Sequence, residues 1–154
     1  MERIAKFEKV SLNDETKDFY NDVVLPKRAT SGSAGYDFYL PYDLLINPNE
    51  TVKVKSGVRC KIDESYALLI FPRSGLGNKY KLSLDNTVGV IDSDYYNAKN
   101  EGHIIIQLTN HSDKPLELKK GDRFVQGIFL KIGITTDDDV ETKRTGGFGS
   151  TGLK

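Results

Sequence analysis

Five short segments of this sequence combine glycine with polar side chains, a composition that suits binding and catalysis at close range. In chain order they are Ala29–Asp37, Pro72–Gly77, Asp85–Tyr95, Gly121–Gln126 and Gly146–Gly152. An arginine, a hydroxyl and free backbone N–H groups in one turn, as in the second segment, can hold phosphate oxygens. Taken singly, each segment is also typical of a plain turn or loop, because turns use the same residue types. Neither of the first two segments matches the Walker pattern or opens a convincing helix, which disfavours a P-loop or a dinucleotide-binding fold.

The chain between these segments reads as short β-strands. Strands with one face in the core are predicted where apolar and polar residues alternate, at Thr51–Lys55, Lys81–Asp85 and Leu116–Lys119. Tyr66–Phe71 and His103–Leu108 are short continuous apolar runs, as expected of strands that are covered on both faces. A short helical turn is predicted only at Gly75–Tyr80. The sequence therefore predicts an all-β fold, a jelly-roll-like barrel or sandwich with one short helix.

Composition bounds the class of protein. The 154 residues include 22 basic and 22 acidic side chains, so the formal net charge is zero. This disfavours binding through a broad basic surface, and we expect no stable nucleic-acid binding. The 38% hydrophobic content is enough for one core. A single cysteine, Cys60, excludes an intrachain disulfide, and we predict that it is a small, half-buried strand residue rather than a catalytic thiol.

The two ends of the chain differ from its middle. No apolar run approaches the roughly 20 residues needed to span a bilayer, and Met1–Lys9 alternates charged with apolar residues, unlike a signal peptide. We therefore expect no membrane association and a cytoplasmic location. After Gly133 the chain is polar and acidic and then dense in glycine, with Phe148 as its one aromatic residue. Such a composition cannot form a core, so residues 1–133 are predicted to be the β domain and residues 134–154 a flexible C-terminal arm.

Taken together and in this order, the five segments closely resemble the five motifs of the homotrimeric dUTPase family. Gly89–Tyr95 and Gly147–Gly152 are the most distinctive matches, and the resemblance runs from about Leu25 to Gly152. It implies Mg²⁺-dependent hydrolysis of dUTP to dUMP and pyrophosphate, which keeps uracil out of DNA and supplies dUMP for dTTP synthesis. It also implies a jelly roll, a homotrimer with shared active sites, and an arm that closes over a neighbour's site.

The resemblance assigns the catalytic carboxylate to Asp92. This residue would orient and deprotonate the water that attacks the α-phosphorus, which requires hydrogen-bond reach to that water and an in-line leaving pyrophosphate. Asp37 of the first motif would help to hold the Mg²⁺ through water. Because Mg²⁺ binds phosphate oxygens and keeps several waters, no metal cage made of protein ligands alone is expected.

On the phosphate side, the resemblance implies contacts from the second motif, the fourth motif and the arm. The residues are Arg73, Ser74, Gly75, Gln126, Arg144, Gly149 and Ser150. Arg144 would supply the positive charge of the arm to the γ-phosphate. Asp122 and Arg123 of the fourth motif either take part in these contacts or brace the site, and the sequence leaves both roles open.

Base and sugar selection would come from the third motif and the arm. The residues are Asn86, Gly89, Val90, Ile91, Tyr95 and Phe148. Leu84–Asn86 and Gly89–Tyr95 are expected to form a hairpin whose backbone groups pair with uracil and leave no room for a 5-methyl group. A cytosine edge would leave polar groups unpaired. Tyr95 would lie against the deoxyribose and exclude a 2′-hydroxyl, and Phe148 would stack on the uracil ring.

Two stretches depart from the family pattern. After Tyr95 the family continues with arginine or glutamine and then glycine, whereas this chain has Tyr96–Asn97, and Ala98–Gly102 lengthens the connection to the next strand. The spacing between Arg144 and the glycines of the arm is one residue shorter than usual, so Arg144 stands in a different register.

Two alternatives remain beside the dUTPase hypothesis. A dCTP deaminase shares the fold but needs a glutamate base, and the third motif offers Asp92 and Tyr95 without a glutamate. A nucleotide-dependent regulatory trimer that binds a partner protein is the other alternative, with Tyr96–Gly102 as its candidate surface. The intact motifs argue that such a role would be additional to catalysis.

Overall fold

The computed structural model describes residues 1–147, which form twelve strands, one α-helix and two short 3-10 helices. The strands are β1 (Ala5–Lys9), β2 (Lys27–Arg28), β3 (Tyr36–Tyr39), β4 (Leu44–Ile46), β5 (Thr51–Lys55), β6 (Val58–Ile62), β7 (Tyr66–Pro72), β8 (Leu82–Leu84), β9 (Gly89–Ile91), β10 (Ile105–Asn110), β11 (Leu116–Leu118) and β12 (Arg123–Lys131). The helix α1 (Ser74–Tyr80) follows β7, and the 3-10 helices are Tyr20–Asp22 and Ser93–Asn97. The prediction of an all-β fold with one short helix is confirmed.

The largest sheet has five strands in the order β2-β3-β12-β7-β9. The apolar strand β7 lies inside this sheet, because it pairs antiparallel with β12 along its whole length and with β9 on its other edge. Leu68 and Ile70 of β7 are almost completely buried. On the opposite face Ala67 is buried but Leu69 and Phe71 are only half-buried, so the coverage on both faces that the continuous apolar run predicted is incomplete.

The remaining strands form a three-stranded sheet, β5-β10-β8, and two pairs, β1-β6 and β4-β11. The core lies between the sheets, since its largest fully buried side chains come from all four of them. These side chains are Phe38, Phe124, Leu40, Ile46, Leu68, Ile70, Ile104, Leu108, Leu116, Val54, Val58 and Val125. One continuous core is what a sandwich of this size requires.

Strand β10 differs from its prediction. The run His103–Leu108 was expected to be covered on both faces, whereas the strand is Ile105–Asn110 and alternates between its two faces. Ile106 and Leu108 are buried, but Gln107 on the opposite face is only half-buried. The expectation was wrong because that second face borders an open cavity, described below.

Cys60 lies on β6, as predicted, but it is fully buried rather than half-buried. Burial raises the pKa of its thiol to about 12. A thiol that stays protonated is a poor nucleophile, so Cys60 is a packing residue.

After β12 the chain has no further helix or strand up to residue 147, and residues 131–143 are exposed. The division into a β domain and a flexible arm at residue 133 stays a prediction. Within the part of the chain that the structure describes, no helix has the length and apolar character needed to cross a membrane.

His103 makes a buried hydrogen bond whose strength depends on pH. Its Nε2 accepts a hydrogen bond from the backbone N–H of Gly57 at 2.9 Å, and burial lowers the pKa of His103 below the ordinary histidine value. The unfolded chain therefore binds the proton more readily than the folded chain. The stability due to this group is complete above the ordinary histidine pKa of about 6.5 and is lost as the pH falls below it.

We predict that acidification from about pH 7.5 to about pH 5.5 lowers the Tm, because protonation of His103 removes the acceptor for Gly57 and charges a buried ring. In the variant His103→Gln, which carries no titratable group there, the fall in Tm over this range should be smaller. The control is His111→Gln, because His111 is an exposed histidine bonded to Ser83. Equal pH dependence of Tm in all three proteins would contradict the prediction.

Candidate active site

Three neighbouring strands of the five-stranded sheet bring the first, second and fourth motif segments together. Gln126 on β12 stands opposite Asp37 on β3 and opposite Phe71 on β7. Arg73 follows directly after β7, next to the same row of residues. Strand register thus gathers Asp37, Arg73 and Gln126 from segments that are far apart in the sequence.

Asp37 is the electrostatic centre of what we call the arginine cluster, which consists of Asp37, Arg73, Arg123 and Gln126. One carboxylate oxygen of Asp37 lies 3.3 Å from Nε of Arg73, and the other lies 3.3 Å from Nη1 of Arg123. Asp37 is only 9% exposed, and a carboxylate this buried needs such partners. Two guanidinium groups against one carboxylate leave an excess of positive charge, which suits phosphate oxygens.

Ser74 and Gly75 open α1 beside the arginine cluster. Arg73 is the N-cap residue of this helix, and no side chain makes a capping hydrogen bond there. The backbone N–H groups of the first turn therefore remain available for an anion. A Cβ built at Gly75 would meet no heavy atom within 4 Å, which leaves the backbone open to approach. At Gly35, in contrast, there is no room for a side chain, because a Cβ there would lie 2.5 Å from Oε1 of Gln126.

The third motif segment borders a cavity of about 590 Å³, a volume suited to a small ligand. The turn at its centre is present, since the N–H of Thr87 donates to the carbonyl of Leu84. The predicted hairpin is nevertheless wrong, because β8 pairs with β10 while β9 pairs with β7 in a different sheet. The two strands diverge after the turn, and the cavity opens where they part.

Both strands that flank the cavity are edge strands. Among the described residues, β8 is the last strand of its three-stranded sheet and β9 the last strand of the five-stranded sheet. Each therefore has one row of backbone N–H and C=O groups without a strand partner, the kind of edge that other proteins usually protect. Such an edge presents donors and acceptors in a fixed order to a ligand.

The lining of the cavity contains every predicted base-side and sugar-side residue that the structure describes, together with the predicted catalytic residue. These residues are Asn86, Gly89, Val90, Ile91, Asp92 and Tyr95. Gly89 must be small, because a Cβ at that position would lie 3.2 Å from Cβ of Ile70. The predicted residues Phe148, Gly149 and Ser150 lie outside the described residues.

Asp92 follows β9 and precedes the 3-10 helix Ser93–Asn97, and its carboxylate does not cap that helix. Its Oδ2 accepts a hydrogen bond from Nη2 of Arg144 at 2.7 Å, and Nε of Arg144 donates to Oδ1 of Asp94 at 2.9 Å. The Arg144 side chain is 17% exposed, against 51% for Asp92. The arm of this single chain therefore lies along the cavity of the same chain, with its arginine against the two carboxylates.

Tyr95 forms a wall of the cavity and is only 6% exposed. Its hydroxyl donates to the carbonyl of His103 at 2.7 Å and accepts from Nδ2 of Asn100 at 2.9 Å. Burial raises the pKa of Tyr95 above its ordinary value, so the hydroxyl stays neutral at physiological pH. The ring is held by its polar end, which leaves its apolar body as cavity wall.

The inserted segment 96–102 is attached to the rest of the chain. The hydroxyl of Tyr96 donates to Glu8 on β1, and the carboxylate of Glu101 accepts from both the hydroxyl and the backbone N–H of Ser11. These side chains therefore bond within the chain, whereas Asn97 and Lys99 of the same segment are exposed.

The predicted residues fall into two groups within one chain. Asp37, Arg73 and Gln126 meet in the arginine cluster, whereas the third motif and Arg144 meet at the cavity. None of Asp37, Arg73 and Gln126 lines that cavity. Of the two roles left open for the fourth motif, Arg123 joins the cluster through Asp37, and Asp122 accepts from the N–H of Lys119 in a turn.

Sequence reasoning missed two residues. Asp94 shares Arg144 with Asp92, and its position two residues after the predicted catalytic residue is the sequence signal that could have found it. Asn100 bonds to Tyr95, and no sequence signal indicates this, because the contact depends on how the inserted segment turns back.

No group of three or more histidine, cysteine, aspartate or glutamate side chains within residues 1–147 is placed to hold a metal ion. The one buried carboxylate of the arginine cluster, Asp37, already faces a guanidinium group on each oxygen. A bare divalent cation prefers several oxygen ligands. Within residues 1–147 of one chain, the protein groups alone therefore do not make a metal cage.

Comparisons with known proteins identify the family. The dUTPase family model matches residues 21–152. The deoxyuridine 5′-triphosphate nucleotidohydrolase of Lactococcus lactis subsp. lactis is 40% identical over 131 residues, which cover 83% of this chain and 87% of that protein.

Solved structures give the same result. The crystal structure of dUTPase from Streptococcus mutans has a TM-score of 0.72 and 38% identity, covering 84% of this chain and 97% of the other. A mutant dUTPase from phage phi11 of S. aureus, whose structure is described with a structural Mg(II) ion, has a TM-score of 0.69 at 19% identity and covers 91% and 98%. At that identity it supports the fold alone.

The jelly-roll-like β fold and the match to dUTPases over most of the chain together show an all-β nucleotide hydrolase. The chain belongs to the dUTPase family. It is an enzyme of nucleotide metabolism, a dUTP diphosphatase. The dCTP deaminase alternative is thereby excluded.

The contact between the arm and Asp94 generates a test that needs no substrate. In Asp94→Asn one of the two anions that hold Arg144 is removed, so Arg144 leaves the cavity more often. Trypsin must extract this side chain to cleave after it, and we predict cleavage after Arg144 to be about two- to fivefold faster, the effect expected for one partly exposed ion pair. The rate is measured by mass spectrometry of the released peptide.

The control is Asp113→Asn, which alters an exposed carboxylate in the loop before β11. It should leave the cleavage rate after Arg144 unchanged. Equal rates in the wild-type chain and in Asp94→Asn would contradict the contact.

Proposed function

We propose that this dUTP diphosphatase hydrolyses dUTP to dUMP and pyrophosphate in a Mg²⁺-dependent reaction, by attack of water on the α-phosphorus. The observation that carries the proposal is the position of Asp92, which lines the nucleoside-sized cavity and projects from the end of an edge strand of that cavity. A carboxylate in this place is next to any nucleotide whose base lies between β8 and β9.

Uracil is recognised by the free edges of the two strands. The backbone N–H and C=O groups of Gly89–Ile91 offer alternating donors and acceptors, and the Asn86 amide adds one donor pair and one acceptor. Uracil presents the same alternation on its pairing edge. A cytosine would leave polar groups unpaired, which costs more than the loss of an apolar contact. A 5-methyl group would have to displace the backbone.

Tyr95 faces the sugar. Its hydroxyl is already satisfied by His103 and Asn100, so it has no hydrogen bond to give to a ribose 2′-hydroxyl. A 2′-hydroxyl against this ring would lose water without gaining a partner. Phe148 of the arm would stack on the uracil ring from the open side, which is worth about 1–3 kcal/mol.

The phosphates of the nucleotide are bound mainly by positively charged groups. Arg73, the first turn of α1 with Ser74 and Gly75, and Gln126 hold phosphate oxygens, joined by Arg144, Gly149 and Ser150 of the arm. Arg144 turns from its two carboxylates to the γ-phosphate when nucleotide binds. Asp92 is then free to accept a proton from the attacking water, while the bond from the α-phosphorus to the bridging oxygen breaks and pyrophosphate leaves with that oxygen.

Asp37 is the residue of this chain that would help to hold the Mg²⁺. Since Asp37 already pairs with two guanidinium groups, it fits a contact to a hydrated ion through water rather than direct ligation. When bound, the ion withdraws charge from the phosphate oxygens and fixes their conformation. The residues of this chain hold the phosphates and the uracil in position.

The active site is shared between chains of a homotrimer. Support comes from the single chain, whose cavity has none of Asp37, Arg73 and Gln126 in its lining. A cyclic trimer joins one patch of a chain to a different patch of the next chain, which allows the arginine cluster of one chain to complete the cavity of another. In the single chain Arg144 and Gly147 lie at the cavity of the same chain; in the trimer the arm would cross to the equivalent cavity of a neighbour, where it would make the same contacts between chains.

The consequence in the cell is removal of dUTP before polymerases use it, together with a supply of dUMP for dTTP synthesis. We place this reaction in the cytoplasm. The segment 96–102 is bonded to β1 and Ser11, and a regulatory role for it stays a prediction.

Pyrophosphate release from dUTP, dTTP, dCTP and UTP, with and without Mg²⁺, tests the proposal. We expect dUTP with Mg²⁺ to be hydrolysed fastest. Asp92→Asn keeps the shape of the side chain and removes the base, so it should retain nucleotide binding while kcat falls by about 10²–10⁴. Asp113→Asn, the same change at an exposed carboxylate away from the cavity, is the matched control, with kcat close to wild type. A near-normal kcat in Asp92→Asn would remove Asp92 from its assigned role.

Mixed trimers test whether sites are shared. Asp92→Asn and Arg73→Gln are each expected to be inactive alone. When equal amounts are co-refolded, a site that takes Asp92 from one chain and Arg73 from another is intact with a probability of about one quarter. We therefore predict that the mixture recovers about a quarter of wild-type activity. If each site lies within one chain, no activity returns.

A further inference from the structure

The hydroxyl of Tyr95 uses its full bonding capacity inside the protein. It has one proton, which it donates to the carbonyl of His103 at 2.7 Å, and it accepts from Nδ2 of Asn100 at 2.9 Å. The backbone supplies the first bond, whereas the second depends on the identity of one side chain. Asn100 is thus the only side chain among the described residues that bonds to this hydroxyl.

The orientation of the Asn100 amide is itself fixed. Its Oδ1 accepts from the N–H of Gly102 at 3.2 Å, which directs Nδ2 towards Tyr95. Gly102 has φ +70°, and a Cβ there would lie 2.6 Å from the carbonyl oxygen of Tyr95. The inserted segment therefore turns back over Tyr95 at a position that only glycine allows, and this turn delivers Asn100 to the hydroxyl.

The other side of Asn100 faces the arm. A Cβ at Gly147 would lie 2.8 Å from Cγ of Asn100, so the arm backbone packs directly on the amide. The N–H of Lys99 donates to the carbonyl of Thr145 at 3.4 Å. Asn100 therefore contacts both the cavity wall and the arm that lies over the cavity.

We propose that Asn100 is a positioning residue for substrate selection, which fixes the Tyr95 ring against the sugar and provides a seat for the arm at Gly147. The proposal rests on the proposed function, because it deepens the role of Tyr95 in that site. It assigns a purpose to the inserted segment, which carries a side chain to Tyr95 from a stretch where this sequence departs from its relatives' motif.

The test compares kinetics of Asn100→Ala with dUTP and UTP. Without the amide the ring tilts, so the preference for dUTP over UTP in kcat/KM should narrow about three- to tenfold, the effect of one lost buried hydrogen bond. The loss for dUTP should appear mainly in KM, because Asp92 is untouched. Asn97→Ala, an exposed asparagine in the same region, is the control and should keep the wild-type ratio.

A double-mutant cycle separates positioning from general stability. In Tyr95→Phe the hydroxyl is absent, so adding Asn100→Ala should leave the dUTP-to-UTP ratio where Tyr95→Phe alone puts it. A merely structural role would instead lower Tm and kcat to the same extent in both backgrounds. An unchanged ratio in Asn100→Ala, or an equal further loss when Asn100→Ala is added to Tyr95→Phe, overturns the proposal.

Ring NMR of ¹³C-tyrosine-labelled protein gives a readout without substrate. We expect the Tyr95 ring to flip faster in Asn100→Ala than in wild type and in Asn97→Ala. If the wild-type chain releases no pyrophosphate from dUTP, the proposed function fails, and the ring flip still decides the contact. If wild type is active but Tyr95 flips equally fast in all three proteins, the role of Asn100 alone is overturned.

Discussion

The pairing of β7 with a strand on each edge is the constraint on which both halves of the site depend. On one edge, the register with β12 sets Gln126 opposite Phe71 and so places Arg73 beside Asp37. On the other edge, the register with β9 places Asp92 at the end of an edge strand. A slip of one residue on either edge would turn these side chains to the opposite face of the sheet. The buried apolar side chains of β7 resist such a slip, because it would expose them to water.

The cavity is a consequence of how two strands end their sheets. β8 and β9 leave one turn and then pair in different sheets, which leaves two backbone edges facing one space. An exposed edge is usually a risk of aggregation. In the proposed function the edge is a recognition surface that needs few side chains, since peptide groups carry the donors and acceptors. A lining made mostly of apolar residues and glycine is compatible with a polar base as the proposed ligand for this reason.

Much of the fold and part of the site could be predicted from the sequence, and particular residues show where prediction stops. The alternation of apolar and polar residues predicted β5 with both of its ends, because side chains of a pleated strand point to opposite faces in turn. The hairpin prediction was wrong, because a short connection between Leu84–Asn86 and Gly89–Tyr95 implies that the chain reverses but not which strands pair. The contact of Asn100 with Tyr95 was invisible, because it depends on the path of an inserted segment. The order of the motifs singled out Asp92 and Tyr95. Only the strand register showed that Asp37 lies in the arginine cluster and not at the cavity.

Local charge explains how a chain without net charge handles a polyanion. The arginine cluster has two guanidinium groups for one carboxylate, whereas the cavity has two carboxylates, Asp92 and Asp94, for the single guanidinium of Arg144. The arginine cluster thus has a positive local charge and the cavity a negative one, and the two lie apart in one chain. In the proposed trimer they would lie against each other across a subunit boundary and attract, and a phosphate chain drawn to the arginine cluster would bring its α-phosphorus to Asp92. Since the total charge is zero, this field is short in range, and selection rests on contacts made after encounter.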